Sequence, residues 1–511
     1  MLATLKTSAR ETLALAGVAA AAVFALHLIA NPHYGFFRDE LYFIICGFHP
    51  QFGYVDQPPV VPLLAAATQL FGHSLFLLRA TPALLAGASV GMAVLLAAEL
   101  GGRRFAQILT ALSVALTPVL MSFGGKVGTD EANPLLWTLA AYALLRVLDG
   151  RDARWSLVAG AALGAAFETK YSVIFFAAAL LGGLVATPER RIFGSRWFWA
   201  GTGLALSIAL PNVLWQAAHG LPMLELLRAG QNGKNVIVGP LAYLGQEVLI
   251  TGLFIAPVWL IGVARLALTP RTRFLAIAFV LLIAEMIVLH GKHYYPAAIY
   301  PIPLAAGCLA LEAWTSRVRF VRPVLATAIA LGSLTFVPFS LPVLPEHSFT
   351  AYEMRVETAL GIKRSALATE HNGGTTQLPP DWADMHGWPE LATTVEGVVA
   401  GLTPAERARA LIVTSNYGEA SALEFFGHDL PPVASGHNQF WLWGVQNRTG
   451  DVVIDVNGDC GRGRNLFTHS RLAATSNPTY AQAFEQNIPI MVCRGIRVPL
   501  TTLWPSARHY D

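Results

Sequence analysis

The sequence predicts an α-helical polytopic membrane protein that ends in a smaller extracytoplasmic α/β domain. Hydrophobic residues make up 54% of its 511 residues and charged residues only 13%, whereas soluble chains carry about 25% charged residues. The mean hydropathy is accordingly positive, at +0.49. Apolar runs recur as far as residue 341 and then stop. The net charge of +3 is too small to indicate a nucleic-acid-binding protein, so membrane lipids are the expected surroundings.

Apolar runs predict about eleven transmembrane helices, because each crossing needs about 20 predominantly apolar residues. The first run follows Lys6 and Arg10 and lacks a small-residue cleavage site, which favours a retained span over a signal peptide. A short interfacial helix is expected within residues 38–75. The predicted spans lie near residues 12–30, 76–99, 105–122, 134–148, 155–168, 171–187, 197–215, 241–264, 274–290, 296–314 and 323–341.

The basic residues of the connecting loops alternate in abundance along the chain. The positive-inside rule assigns the richer loops to the cytoplasm. With eleven spans, the N-terminus is then cytoplasmic and the C-terminal domain extracytoplasmic. The richer set contains Lys6, Arg10, Arg103, Arg104, Arg151, Arg154, Arg190, Arg191, Arg196, Arg265, Arg271, Arg273, Arg317, Arg319 and Arg322.

The first outer loop, residues 36–62, places five charged or titratable residues between two apolar stretches: Arg38, Asp39, Glu40, His49 and Asp56. Charges this close to a membrane span are costly unless they line water, a ligand or each other. On a helix the side chains of Asp39 and Glu40 diverge by about 100°. We therefore expect one to face a substrate and the other to pair with Arg38 or brace the loop. The alternative is a solvated helix start stabilised by the helix dipole.

Isolated lysines recur in the other loops assigned to the outer side. They lie beside acids, aromatic residues or glycines in residues 124–131 (GGKVGTDE), 168–171 (ETKY), 231–235 (QNGKN) and 290–296 (HGKHYYP). Lysine binds phosphate as a point charge, and carboxylates act as general bases. This pattern indicates an active site for a phosphate-bearing substrate, although each lysine alone is also consistent with a side chain that reaches lipid headgroups.

Residues 343–511 are predicted to form the α/β domain, and residues 1–342 the transmembrane domain. Strands are expected at 410–414, 440–443 and 452–456, with a helix over 417–426. Cys460 and Cys493 lie in a predicted oxidising compartment, and the sequence leaves open a disulfide or two free thiols. The glycine-rich residues 458–463 (GDCGRG) are interpreted as a turn. Acceptor recognition or partner docking is the expected role of the domain.

Several segments together resemble one known family. They are RDELYF at 38–43, GYVDQPP at 53–59, the acid in the second outer loop and KHYYP at 292–296. Residues 10–340 resemble bacterial members of the protein O-mannosyltransferase-like family, which is glycosyltransferase family 39 with the GT-C fold. The C-terminal segments SNYGEASALEFFG, SGHNQFWLWG and LWPSARHYD resemble a subgroup known only as glycosyltransferases.

The resemblance implies a polyprenyl-phosphate sugar donor, an active site on the periplasmic face of the inner (plasma) membrane, and transfer to a hydroxyl of a lipid, glycan or protein. The catalytic acid of the family maps onto Asp39 and Glu40, and its second acid onto Asp130. The late basic and aromatic turn maps onto Lys292 and Tyr294. This chain has His-Gly-Lys-His-Tyr-Tyr where relatives often have Arg-Tyr, which leaves the phosphate contact at this turn open.

In the predicted mechanism, Asp39 takes the proton of the acceptor hydroxyl as general base, and the anomeric centre is inverted. Cations stabilise the charge that develops on the donor phosphate. An alternative assigns Asp39, Asp130 and a histidine to a divalent metal; no other cofactor is expected. The phosphate-binding candidates are Arg38, Lys126, Lys170, Lys292, His293 and Tyr294, and the acceptor or loop candidates are His49, Tyr54, Asp56 and Gln57.

Two other classes of protein remain as hypotheses. A transporter or flippase of a lipid-linked or anionic solute would place charges at the bilayer midplane and carry internal repeats, whereas here the charges cluster at one end of the spans and no repeat is evident. An assembly scaffold would use the C-terminal domain for interaction and would not need Asp39.

Overall fold

The computed structural model describes residues 8–231, 235–368, 370 and 376–510. Most of the part before residue 343 is helical. Its helices are α1 (Ala9–Ala30), α2 (Arg38–Phe48), α3 (Val60–Thr68), α4 (Leu75–Glu99), α5 (Arg104–Ala115), α6 (Pro118–Phe123), α7 (Asn133–Leu148), α8 (Trp155–Phe167), α9 (Val173–Val185), α10 (Arg196–Ala218), α11 (Pro222–Ala229), α12 (Pro240–Thr251), α13 (Ala256–Leu268), α14 (Arg273–Val288), α15 (Pro301–Trp314), α16 (Val321–Leu334) and α17 (Val337–Ser340).

The helices follow the predicted apolar runs, but several runs are broken. In the described residues, four helical segments are long and apolar enough to cross a membrane, namely α1, α4, α10 and Ala297–Trp314, and two bent pairs raise this number to six. The predicted span 241–264 is two helices, α12 and α13, that meet at 113°. Gly252 ends α12 with a φ of 88°, and Pro118 begins α6 within the predicted span 105–122. The count of eleven spans stays a prediction.

Small residues let the membrane helices approach closely. A Cβ atom on Gly262 of α13 would lie 1.7 Å from the carbonyl oxygen of Pro303, and one on Gly307 of α15 would lie 1.9 Å from that of Val258. These glycines therefore allow backbone contact between α13 and α15, as small residues do between membrane helices.

The arginine-rich loops meet at one end of the helical part. Arg271 donates to Asp149 through Nε at 2.6 Å and to the carbonyl oxygen of Glu99. The carboxylate of Glu312 accepts from the backbone N–H of Arg103 at 2.8 Å. The predicted outer loops instead contact the C-terminal part of the chain. The structure thus separates the two sets of loops in space; Lys6 and Lys234 lie outside the described residues.

The C-terminal part contains a mixed five-stranded sheet in the described residues, with the strand order β2-β1-β3-β5-β4. β1 is parallel to β2 and β3, with Ile412 opposite Val433 and Ile454, and β5 is antiparallel to β3 and β4. The elements are α18 (Glu346–Leu360), α19 (Pro380–Ala383), α20 (Trp388–Ala400), α21 (Pro404–Arg409), β1 (Ala410–Thr414), α22 (Tyr417–Phe426), β2 (Val433–Ser435), α23 (Asn438–Trp443), β3 (Val452–Val456), β4 (Phe467–Ser476), β5 (Ile488–Ile496) and α24 (Leu500–Leu503).

Two of the three predicted strands and the predicted helix are confirmed as β1, β3 and α22. The strand predicted at 440–443 is wrong, because these residues lie in α23. The rings of Phe440 and Trp443 lie 4.8 Å apart. A spacing of three residues puts both side chains on one face of a helix, so the aromatic run serves helical packing.

α2 lies in the hydrophobic core of the C-terminal domain. Its residues 41–47 are buried. Leu41 and Ile44 belong to the same buried cluster as Val395 of α20, Leu423 of α22 and Ile454 of β3. The first outer loop therefore connects the two parts of the chain, because it follows α1 and its helix α2 packs in the core of the α/β domain.

Cys460 and Cys493 form a disulfide that joins the loop after β3 to β5. This observation decides between the two states that the sequence left open. The glycine-rich residues 458–463 form a turn around it that continues into a short 3₁₀ helix, Arg462–Arg464. The turn belongs to the local structure of the sheet edge.

We expect the Cys460→Ser/Cys493→Ser double variant to unfold at a lower temperature than the wild type. A disulfide that closes a loop of this length restricts the unfolded chain and contributes about 2–4 kcal/mol. Alkylation of the denatured wild type without reductant should label only the free thiols of Cys46 and Cys308, and a reductant should expose two more. Labelling of all four thiols without reductant would contradict the disulfide.

Candidate active site

Charged residues come together where the ends of the membrane helices opposite the arginine-rich loops meet the C-terminal part, and this region is called the charged cleft. We define this charged cleft by residues from five segments. They are Arg38 and Asp39 of α2, Lys126 and Asp130 of the second outer loop, Lys170 between α8 and α9, Lys292 and Tyr294 before α15, and Glu370, Asp381, Asp384 and Tyr417 of the C-terminal part. The structure thus brings together most of the charged residues that the sequence singled out.

Asp39 lies at the wall of the charged cleft, with 35% of its side chain exposed. Its Oδ1 accepts a hydrogen bond of 2.7 Å from the hydroxyl of Tyr417 and lies 3.7 Å from Nε of Arg38. Its Oδ2 makes no hydrogen bond with any described residue. One carboxylate oxygen is therefore held in place and the other is available to a substrate.

Glu40, the other candidate for the catalytic acid, has a different environment. Glu40 and Arg79 of α4 are both fully buried and form an ion pair in which Arg79 donates through Nε at 3.0 Å and through a terminal nitrogen at 2.9 Å. The backbone N–H groups of Phe37 and Val127 also donate to the carboxylate of Glu40. Of the two roles expected for the second acid, the structure therefore favours the brace of the loop over pairing with Arg38.

Arg38 faces the C-terminal domain, with 19% of its side chain exposed. Its guanidinium lies 3.9 Å from Asp384 and 5.2 Å from the ring centre of Tyr417. A Cβ atom on Gly418 would lie 2.5 Å from Cγ of Arg38, so only glycine fits at this position of α22. Burial raises the pKa of Asp384 to about 6, although Arg38 lowers it. The position of Arg38 is thus set by the C-terminal domain as much as by α2.

Lys126 and Lys292 are paired with carboxylates from the C-terminal part. Nζ of Lys126 lies 2.6 Å from Asp381 and 4.0 Å from the ring centre of Phe37. Burial alone would raise the pKa of Asp381, but Lys126, Arg38 and Lys292 together hold it below its ordinary value. Lys292 forms an ion pair with Glu370. The pairs bring Glu370 and Asp381 against the ends of the membrane helices opposite the arginine-rich loops.

Lys170 is paired within the membrane part. Its Nζ lies 2.5 Å from Oδ2 of Asp130 and about equally far from the ring centres of Tyr294, at 5.1 Å, and Tyr295, at 4.9 Å. Asp130 therefore orients Lys170. The two tyrosines provide an aromatic wall at which a cation is also stabilised by the ring faces.

His293 does not add a cation to the charged cleft. Its ring is buried, and Nε2 lies 3.2 Å from the carbonyl oxygen of Leu367, to which it donates. Burial lowers the pKa of His293, and the neighbouring Lys292 lowers it further. The hydrogen bond to Leu367 engages Nε2 and joins the turn before α15 to the C-terminal part, so a phosphate contact of His293 stays a prediction.

The acceptor or loop candidates follow α2 in the chain and have contacts of their own. Tyr54 is fully buried and donates to the carbonyl oxygen of Cys46 at 2.8 Å. Gln57 is buried and its carbonyl oxygen accepts from the N–H of Tyr54. These contacts favour the loop role for both and leave no room for acceptor contact. The ring of His49 lies 4.7 Å from that of Trp443.

Asp56 joins the first outer loop to the C-terminal domain. Its carboxylate accepts from the hydroxyl of Tyr42 at 3.0 Å and from the side-chain amide of Asn438 at 3.5 Å. The hydroxyl of Tyr42 in turn accepts from the backbone N–H of Gln439. Asp56 thus acts in the interface between α2 and α23.

The described residues contain no compact set of metal ligands that includes Asp39. Among the described residues, the one group of three metal-binding side chains with ligand atoms within 4.8 Å of one another is Asp455, Cys460 and Cys493. The two sulfur atoms of this group form the disulfide. Asp130 is engaged by Lys170 rather than grouped with Asp39.

Sequence reasoning missed the residues that the C-terminal part brings to the charged cleft. Glu370, Asp381 and Asp384 come from a polar stretch without a recognisable pattern. Tyr417 lies in SNYGEASALEFFG, a segment that indicated a resemblance to a subgroup of glycosyltransferases but no role for the tyrosine. Another acid of the C-terminal part, the buried Glu485, accepts a hydrogen bond of 2.9 Å from the side chain of Asn416. Burial and the neighbouring Glu419 raise the pKa of Glu485 well above its ordinary value.

Sequence comparison relates the chain to membrane glycosyltransferases. Residues 56–215, which begin after Asp39, match the family described as dolichyl-phosphate-mannose-protein mannosyltransferase. The chain is 28% identical over 196 residues to lipid A galacturonosyltransferase RgtD of Rhizobium johnstonii, covering 36% of this chain and 39% of that protein. It is 35% identical over 168 residues to undecaprenyl phosphate-alpha-4-amino-4-deoxy-L-arabinose arabinosyl transferase 2 of Pseudomonas fluorescens, covering 31% and 28%. It thus spans well under half the length of either curated relative.

The fold is similar to that of ArnT from Cupriavidus metallidurans. The apo crystal structure has a TM-score of 0.59 and 13% identity, covering 95% of this chain and 98% of that chain. The structure of ArnT bound to undecaprenyl phosphate has a TM-score of 0.52 and 12% identity, again covering 95% and 98%. These similarities show the fold, and with the family match they confirm the predicted resemblance to GT-C membrane glycosyltransferases. The protein is a helical membrane protein.

Replacement of Glu40 by glutamine should strongly destabilise the protein. Glutamine keeps the size of the side chain but leaves the buried charge of Arg79 without a counter-charge, which costs about 3–5 kcal/mol. Glu396→Gln is the matched control, because Glu396 pairs with an exposed histidine, His428, and such pairs contribute less than about 1 kcal/mol. Thermal unfolding of both variants in detergent measures the difference; equal unfolding temperatures would contradict the bracing role.

Stability should depend on pH through Glu485. Because its pKa is raised in the folded state, Glu485 contributes stability that is fully present below the unfolded pKa, about 4.3, and is lost as the pH rises through the folded pKa. Between about pH 5 and about pH 8, the unfolding temperature of the wild type should therefore fall more steeply than that of Glu485→Gln. Identical slopes in thermal unfolding at a series of pH values would disprove this contribution.

Proposed function

We propose that this protein is an integral-membrane glycosyltransferase that moves a sugar from a polyprenyl-phosphate donor to a hydroxyl of a lipid, glycan or protein acceptor. Asp39 acts as the general base. The observation that carries the proposal is its carboxylate, with Oδ1 held and Oδ2 available in a cleft lined by cations. Similarity to two named glycosyltransferases supports the reaction class.

The proposed reaction is a single displacement. The acceptor oxygen forms a bond to the anomeric carbon while the bond from this carbon to the phosphate oxygen breaks. Asp39 takes the hydroxyl proton, and the polyprenyl phosphate leaves with the bonding electron pair. Attack from the face opposite the phosphate inverts the anomeric centre. Proton removal by a positioned base typically contributes about 10²–10⁴-fold to the rate.

The cations of the charged cleft stabilise the phosphate as its charge develops. Lys170 is the best placed, because Asp130 fixes it and the rings of Tyr294 and Tyr295 lie beside it. Lys126 and Lys292 are paired with Asp381 and Glu370. Fixed cations in a site with little water are usually the largest single contribution to such catalysis.

An apolar groove supports a lipid-linked substrate. It has a volume of about 460 Å³ and is lined by Phe52 of the first outer loop and by Leu210, Leu214 and Trp215 of α10. Trp215 donates to the side chain of Gln51 at 2.9 Å, so the groove adjoins the loop that carries Asp39. In the similar fold of ArnT, a structure contains undecaprenyl phosphate. The groove would hold the apolar chain near the membrane surface.

The charged cleft is proposed to face the periplasm. The arginine-rich loops lie at the other end of the helices, which the positive-inside rule assigns to the cytoplasm. The disulfide at Cys460 and Cys493 suits an oxidising compartment. Both features favour an inner-membrane protein with the C-terminal domain outside. Placement of the charges at one end of the helices also favours a transferase over a transporter.

Transfer from a panel of radiolabelled polyprenyl-phosphate sugars, measured in membranes, tests the proposal. We expect the wild type to transfer label from at least one donor and Asp39→Asn to lose at least about 100-fold in kcat, because asparagine cannot accept the proton.

The control is Asp152→Asn, which makes the same chemical change at the arginine-rich end and should leave transfer intact. Transfer that survives in Asp39→Asn at an unchanged protein level would contradict the role of Asp39 as base. If no donor supports transfer and the protein instead moves a solute across the membrane of proteoliposomes, the transporter hypothesis would be favoured over the glycosyltransferase.

A further inference from the structure

The C-terminal domain presents the ends of its parallel strands to α2. β1 and β2 end at Thr414 and Ser435, and α22 and α23 begin a few residues later at Tyr417 and Asn438. In α/β sheets, ligands bind at the carboxyl ends of parallel strands. Here this edge of the sheet faces the first outer loop, so residues of the domain reach the group proposed to act as base.

Tyr417 is held rigidly at this edge. Its side chain is buried, and its ring centre lies 4.6 Å from that of Tyr42 and 4.7 Å from that of His437. On another side the guanidinium of Arg38 lies 5.2 Å from the ring centre. With the ring enclosed in this way, the hydroxyl has a fixed position, 2.7 Å from Oδ1 of Asp39.

Tyr417 can act only as a donor in this contact. Burial raises the pKa of Tyr417 well above its ordinary value, and the charge of Asp39 raises it further, although Arg38 lowers it. The phenol therefore keeps its proton throughout the neutral range. A fixed neutral donor on one oxygen of a carboxylate orients the group and favours its charged form.

We propose that Tyr417 is a positioning residue for the transfer reaction, through a hydrogen bond that fixes Oδ1 of Asp39 and aims Oδ2 at the acceptor hydroxyl. This inference rests on the proposed function. Tyr417 does not exchange its proton in the reaction. The α/β domain thereby contributes to the base itself, in addition to any part in recognising the acceptor.

A purely structural role makes a different prediction. If Tyr417 only joined the domain to α2, loss of the hydroxyl would weaken the interface without changing the pH dependence of the reaction. The interface also has a large buried core, which includes Leu41 and Leu423, and phenylalanine preserves the ring contacts. The Tyr417→Phe protein should therefore fold, and the two roles separate in the pH dependence of the reaction.

The test is the pH dependence of transfer by the full-length protein in proteoliposomes. For Tyr417→Phe we expect kcat to fall by roughly tenfold to a hundredfold, the range for loss of one hydrogen bond to a charged group. KM for the donor should stay within about twofold, because the phosphate contacts are untouched. The acid limb of the kcat profile should move to higher pH, because the carboxylate loses a contact that favours its charged form.

Tyr352→Phe is the matched control. It removes a hydroxyl that donates to the carbonyl oxygen of Thr335 at 2.7 Å and is not part of the charged cleft, so it should leave kcat and the acid limb unchanged. The double variant Asp39→Asn/Tyr417→Phe should be no slower than Asp39→Asn, because the positioned base is already absent.

Each outcome separates the two proposals. The positioning role is overturned if the wild type transfers sugar normally and Tyr417→Phe has an unchanged acid limb. It is also overturned if Tyr417→Phe has a lower kcat and the only other change is a lower unfolding temperature. Both outcomes leave the proposed function intact. A wild type that transfers no sugar overturns the proposed function and with it any role of Tyr417 in transfer.

Discussion

The buried ion pair of Glu40 and Arg79 is the contact on which the charged cleft depends. Arg79 also donates to the backbone oxygens of Asn31, His33 and Gly35, and Glu40 accepts from the N–H of Val127. One pair thus joins α2, α4, the end of α1 and the second outer loop. Because all donors and acceptors around it are paired, the cost of burying two charges is offset, and the start of α2 has one orientation.

That orientation gives Asp39 its environment. Adjacent residues of a helix point about 100° apart, so a glutamate turned into the protein leaves the preceding aspartate at the cleft. The apolar side of α2 then enters the core of the α/β domain through residues 41–47. The helix is fixed by the membrane part at its beginning and by the C-terminal domain along its length. This double attachment explains how residues of two distant segments, Asp39 and Tyr417, come to lie within hydrogen-bond distance.

The sequence was informative where function depends on neighbouring residues and uninformative where it depends on distant ones. The segment RDELYF singled out Asp39 and Glu40 as candidates for the catalytic acid, and their helical spacing predicted that the two would have different roles. It did not identify Arg79, 39 residues away, as the partner. His293 was grouped with cations because composition does not reveal burial. Phe440 to Trp443 has the aromatic composition of a strand, and only the packing of the two rings on one face shows that it is helical.

Each lysine of the charged cleft is paired with a carboxylate, which stabilises its positive charge in the folded protein. Lys170 has Asp130, Lys126 has Asp381 and Lys292 has Glu370. A donor phosphate would therefore compete with a carboxylate for each ammonium group, and its affinity would reflect the difference between the two partners. Asp130 belongs to the membrane part and can stay in place as an orienting group. The other two acids belong to the C-terminal part, so binding of phosphate at Lys126 or Lys292 is coupled to contacts between the two parts of the chain. The domain that positions the base through Tyr417 would then also respond to the arrival of the donor.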